Sequence, residues 1–180
     1  MQIATWNVNS IRTRLDAAIA WLQEHPVDVL CLQETKVIDA DFPRQRFEQL
    51  GYHLYISGQK AYNGVALISR EPLENVSAGF TPILGSETAG NFDEQKRVIT
   101  GICQGVRIVN LYVPNGSSVD SEKYVYKLSW LQVLRTYLQA LINNKESNHP
   151  SALCVCGDFN IALEDKDIYN PKGREKQVMA

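Results

Sequence analysis

Residues 27–34 read Val27-Asp28-Val29-Leu30-Cys31-Leu32-Gln33-Glu34, and this stretch decides the fold class. Over 27–33 apolar side chains fall on both faces, the pattern of a strand buried inside a parallel sheet rather than one with a wet side. Pro26 separates it from a segment in which Ile11, Leu15, Ala18, Ile19 and Leu22 recur at helical spacing, and residues 2–8 before that segment read as a strand. Strand, helix and buried strand make a βαβ unit, and both of its strands run into polar residues.

Further along, a short helix is expected over 43–50, closed by Gly51, then strands at 52–57 and 65–69 joined by the turn GQKAYNG. Residues 81–96, rich in Gly, Thr and acidic side chains, read as a surface loop. A hairpin follows over 97–114, turning near Gln104-Gly105. Tyr124, Leu128, Leu131, Leu134, Leu138, Leu141 and Ile142 form the apolar stripe of a long helix that exits at Asn143, Asn144 and Pro150, and the stripe reads as core packing. A last strand over 152–156 runs into Gly157-Asp158-Phe159-Asn160, and the residues beyond are polar.

A chain of 180 residues, 44% hydrophobic, is long enough to bury one sizeable core, so a single globular unit is expected. No apolar run approaches the roughly 20 residues of a membrane span, and Met1 leads into a strand rather than a signal segment, so no membrane partner and a cytoplasmic location are expected. The net charge of -2 argues against holding nucleic acid by a bulk positive field, but a divalent cation in an acidic pocket can supply that charge locally. Cys31, Cys103, Cys154 and Cys156 sit among Val, Leu and Ile and read as buried strand thiols. Cys154 and Cys156 share one face of their strand, with no second Cys or His pair at zinc spacing.

Asn7 and Asn9, Glu34, Tyr112 with Asn115, and Asp158 with Asn160 all fall at the ends of expected strands. In α/β sheets such ends converge on one crevice. Two carboxylates with amide oxygens and no histidine partner are hard ligands, suited to magnesium or manganese and hence to phosphate chemistry. Each residue alone also has a plainer reading: Asn9 and Ser10 as caps of the helix at Ile11, Asp158 as turn chemistry after Gly157.

Taken in order, TWNVNSIRTR, LQETK, YNGVALIS, RVIT, NLYVPNG and GDFNIA resemble the successive motifs of the exonuclease III family of abasic-site endonucleases, over residues 1–165. The resemblance implies an α/β fold, a four-layer α/β/β/α sandwich of the DNase I-like type. It implies Glu34 as the principal metal carboxylate with Asn7 beside it, Tyr112 near the attacked phosphate, Asp158 orienting or deprotonating the water, and Asn160 on the phosphate oxygen or metal. Asn9, Arg12, Gly64, Arg97 and Asn115 resemble DNA-facing positions. The implied reaction is Mg2+- or Mn2+-dependent cleavage of duplex DNA on the 5′ side of an abasic site, with 3′ to 5′ exonuclease and 3′-phosphatase action, in base excision repair; a monomer is expected because no exposed amphipathic interface stands out.

The family's tryptophan-rich strand, Arg-x-Asp strand and closing Ser-Asp-His motif have no counterpart here, and residues 166–180 read as a polar tail where the chain stops short. Three expectations follow. The chain is a fragment or truncated product; its hydrolysis is slowed by about 10² to 10⁴ for want of one acid or base group; and its second sheet is incomplete, leaving ALCVC and VRIVNLYV without neighbours on one side. A non-catalytic remnant that binds abasic DNA, and a phosphodiesterase of the same superfamily with another substrate, are the competing readings.

Overall fold

The computed structural model describes residues 1–144 and 152–168. Strand β1 (Ile3–Asn7), helix α1 (Ile11–Glu24) and strand β2 (Val29–Gln33) form the expected βαβ unit, with β1 and β2 parallel and in register from Ile3 opposite Val29 to Asn7 opposite Gln33. Helix α2 (Arg44–Glu48) ends before Gly51, which turns the chain at φ 82 into β3 (His53–Ser57). Strand β4 (Val65–Ser69) returns antiparallel and pairs with both β3 and β2, giving a first sheet in the order β1-β2-β4-β3.

Strand β5 (Glu74–Ala78) had no sequence signal, because it is polar, only five residues long, irregular in register between Glu74 and Ser77, and lies at the edge of the second sheet. Residues 81–96 are more than a surface loop: α3 (Thr81–Leu84) and α4 (Ser86–Ala89) fall within them, and Ala89 is fully buried. The hairpin is β6 (Val98–Cys103) and β7 (Val106–Tyr112), turning through Gln104 and Gly105, both left-handed. After α5 (Glu122–Asn143), β8 (Ala152–Asp158) adds parallel to β7, and the second sheet has the order β5-β6-β7-β8.

Alternation along the strands builds the layers. In β2, Leu30 and Leu32 pack outward against Ala18, Ile19 and Leu22 of α1, while Val29 and Cys31 face Ile99 and Ile108 of the second sheet. In β7, Val109 and Leu111 face Trp130, Leu134 and Tyr137 of α5. Three apolar layers thus separate helix, sheet, sheet and helix, the four-layer α/β sandwich expected.

Three expectations are corrected. The buried face of α5 is Lys127, Trp130, Leu134, Tyr137 and Leu141, whereas Leu128 and Ile142 are exposed; the aromatic rings turn the helix away from the expected stripe. Pro150, expected at the helix exit, lies outside the described residues. Strand β8 runs two residues longer than expected, so Asp158 is its last residue, opposite Tyr112, rather than part of a turn. Of the two strands expected to lack neighbours, β7 is flanked by β6 and β8, and only β8 has one partner among the described residues.

Candidate active site

Four strand ends meet at one end of the sandwich: β1 and β2 bring Asn7 and Glu34, β7 and β8 bring Tyr112 and Asp158. At this end one amide bridges the carboxylates of the two sheets. Asn7 Nδ2 donates to Glu34 Oε1 at 2.8 Å and to Asp158 Oδ2 at 2.7 Å, while Asn7 Oδ1 accepts the Asn9 N–H at 3.0 Å, which fixes the orientation of the amide. Two carboxylates from sequence positions far apart are therefore held on one nitrogen.

Glu34 sits in the left-handed region at φ 53, a conformation that costs a non-glycine residue on the order of 1 kcal/mol. The surrounding backbone enforces it. Ser10 and Ile11 N–H donate to the carbonyls of Glu34 and Thr35, so the start of α1 docks on this loop; the Ser10 side chain makes no capping bond, contrary to its cap reading. On the other side the N–H groups of Thr35 and Lys36 donate to the carbonyls of Gly64 and Asn63. Gly64, expected to face DNA, is buried at φ 90, and a Cβ there would lie 2.3 Å from Thr35 Oγ1; it permits two loops to touch.

The Glu34 carboxylate is heavily partnered. Lys36 Nζ lies 2.9 Å from Oε2 and also donates to Asn9 Oδ1. Burial pushes the Glu34 carboxyl up, but the hydrogen bonds from Asn7, Lys36 and Tyr112 and the Lys36 charge outweigh it and hold it below its usual value. Burial first, then the bond to Glu34, push the Tyr112 phenol well above its usual value, so it stays a neutral donor. Lys36 carried only a motif signal in the sequence.

Asp158 and Asn160 form a second tight group. Asn160 N–H donates to Asp158 Oδ1 at 2.9 Å, Asn160 Nδ2 donates to the Val113 carbonyl at 2.8 Å, and Val113 N–H donates to the Asp158 carbonyl at 2.9 Å. Gly157 precedes them at φ 134, where a Cβ would lie 2.0 Å from the Leu111 carbonyl oxygen, so only glycine lets β8 approach β7 here.

Beside this centre lies a cleft of about 560 Å³ lined by Tyr62, Asn63, Arg97, Tyr112, Asn115 and Tyr126, among others. Arg97 stacks on the Tyr112 ring at 4.6 Å from its centroid and donates to the Tyr112 carbonyl at 3.2 Å. Asn115 is exposed and accepts the Ser117 N–H at 2.9 Å. Arg12 stands apart, on the exposed first turn of α1, 3.1 Å from Asp41.

Beneath the site, Asn110 is fully buried between the sheets and donates to the Leu32 and Ala66 carbonyls at 2.9 Å, while Gln33 Nε2 donates to Asn110 Oδ1 at 2.7 Å. These residues cross-link the sheets one position from Glu34 and two from Tyr112. Their sequence signal was a polar residue inside an otherwise apolar strand.

The donor set suits a hard divalent ion. Carboxylates and amides gather here, and Lys36 shows that the Glu34 side already draws a cation. No group of three or more His, Cys, Asp or Glu able to hold a metal occurs among the described residues, and the pair Glu34 and Asp158 with its neighbouring amides fits a hard ion that keeps several of its waters. All four cysteines are free; Cys31 and Cys103 are buried as expected, whereas Cys154 and Cys156 on the less covered β8 are only half-buried, and Cys31 and Cys156 Sγ lie 3.5 Å apart between the sheets.

The profile of the Endonuclease/Exonuclease/phosphatase family matches residues 4–177. Exodeoxyribonuclease III of Haemophilus influenzae is 32% identical over 173 residues, covering 93% of this chain and 60% of that protein. The solved AP endonuclease of Archaeoglobus fulgidus superposes with a TM-score of 0.85 at 41% identity, over 99% of this chain and 65% of its own. A Neisseria 3′ phosphatase, NExo, solved with a product DNA hairpin, gives 0.85 at 36% identity with the same coverage, 99% and 65%. The chain thus spans about two thirds or less of the length of these relatives. With a family profile that matches most of its length and two sheets whose strand ends meet at Asn7, Glu34, Tyr112 and Asp158, the chain belongs to the Endonuclease/Exonuclease/phosphatase family.

Proposed function

We propose that this chain carries the metal-side half of a nuclease site that hydrolyses the backbone of duplex DNA at abasic sites, incising on the 5′ side and trimming 3′ ends, in the service of DNA base excision repair. The observation that carries the proposal is Asn7 holding Glu34 and Asp158 on one nitrogen, 2.8 and 2.7 Å away. Glu34, with Asp158 as its neighbour, would hold Mg2+ or Mn2+, which when bound neutralises phosphate charge and lowers the pKa of water.

Asp158, fixed by the Asn160 N–H on one oxygen, is assigned to the attacking water, which it orients or deprotonates. Asn7 aims its N–H groups at the carboxylates and sets their spacing, and its oxygen, which accepts the Asn9 N–H, keeps a second lone pair for the ion or the phosphate. Tyr112, a neutral donor beside Glu34, is placed to bond a phosphate oxygen. Arg97, Asn115 and exposed Tyr62 line the cleft in which the strand would lie. A nucleotide without its base is extruded at little unstacking cost, a physical source of selectivity.

The reading is tested by a substrate panel with magnesium and the 180-residue chain: a duplex with one abasic-site analogue, an intact duplex, a duplex with a 3′-phosphate, and a phosphoinositide. Incision of the abasic duplex on its 5′ side, above all others, supports it. Binding of that duplex by folded protein with no incision would replace it with the binding-remnant reading, and turnover of the phosphoinositide alone would move the substrate class.

A further inference from the structure

Lys127 is out of place by composition. It shares the buried face of α5 with Trp130, Leu134, Tyr137 and Leu141, and it is only 2% exposed. An ammonium taken out of water is costly unless it is hydrogen-bonded or paired, and no carboxylate lies within ion-pair distance of it among the described residues.

What it does have is one directed bond: Nζ donates to the backbone carbonyl of Asn160 at 2.5 Å. Asn160 is left-handed at φ 49, and its N–H and side chain tie it to Asp158 and Val113. Those ties run within the second sheet and its loop. The Lys127 bond is the tie from the helix, arriving from behind the site, and Asp158 is the charge that acts on the ammonium.

We propose that Lys127 is a positioning residue of the nuclease site: through the Asn160 carbonyl it fixes the 158–160 segment that aims Asp158 and Asn160. The proposal rests on the functional reading above. A lysine kept only for packing would be replaceable by an apolar residue of similar length, since such replacements of buried charges are often neutral or stabilising.

The experiment compares the unaltered chain with Lys127→Met and Lys127→Arg in incision of an abasic duplex, thermal unfolding and amide hydrogen exchange. For Lys127→Met we expect an unchanged or raised Tm, a fall in kcat of about 10- to 100-fold with KM within about twofold, and faster exchange of the Asn160 amide while Asn110 keeps its protection. Lys127→Arg should recover most of the loss. Unaltered kcat and Asn160 exchange in Lys127→Met would overturn the proposal. So would a lowered Tm with kcat and KM degraded together and no recovery by arginine, the mark of a purely structural lysine. If the unaltered chain fails to cut, the functional reading falls, and Asn160 exchange against Tm still decides the placement of Lys127.

Discussion

Strands β2 and β8 are both short and apolar, and each pairs in parallel with a neighbour, yet β2 is buried at all five positions and β8 at none of its seven. Their hydrophobicity does not separate them; their neighbours do. Strand β2 lies between β1 and β4 under α1, whereas β8 has β7 on one side and no further strand on the other among the described residues. The site straddles this divide. Glu34 follows the closed strand, and Asp158 ends the open one.

Deleting core atoms should expose the contrast most strongly. Leu32→Ala in β2 should cost about 2–5 kcal/mol in denaturant unfolding, and Val155→Ala in half-buried β8 about 1 kcal/mol. Equal costs would mean that the open side is covered in solution.

The helical cover of the second sheet is tested by alkaline pH. Burial pushes the Tyr137 phenol up to about 12, above its unfolded value, so its contribution to stability is complete below about pH 10 and is lost as pH rises from there through about 12. The expected loss is about 3 kcal/mol, and Tyr137→Phe should flatten the stability curve in that window. An identical curve in both proteins would show that Tyr137 is accessible. At the acid end the sign is opposite. The lowered Glu34 carboxyl contributes stability above its unfolded value that is lost as pH falls through its folded one, so Glu34→Gln should weaken the acid dependence.

Asn110 joins the two sheets beneath the site, and Asn110→Ala should cost about 1–3 kcal/mol by stranding its buried partners. Amide exchange gives the smallest effect: β8 should exchange faster than β2 in the native state. Equal protection would place β8 within the closed core.

The sequence made the βαβ unit legible because residues 27–33 are apolar on both faces, and the strand ends legible because Asn7, Glu34 and Asp158 break apolar runs. It hid β5, which is polar and lies at an edge, and the true face of α5, where Trp130 and Tyr137 outweigh a run of leucines. Gly64 read as a ligand-facing position because a motif records that a glycine is present, not whether it faces a ligand or a neighbouring loop. Lys127 carried no signal at all, since a lysine on a helix reads as a solvated charge until the buried face is known.

The proposed chemistry requires strand ends from both sheets to act as one unit. Single-turnover incision of an abasic duplex with magnesium tests it most directly, comparing the chain with Glu34→Ala, Asp158→Ala and the double variant. Slow incision by the unaltered chain is expected, with a loss of at least about 100-fold in each single variant and a double variant scarcely worse than the poorer single. Full activity in either single variant, or losses that simply multiply in the double, would contradict it.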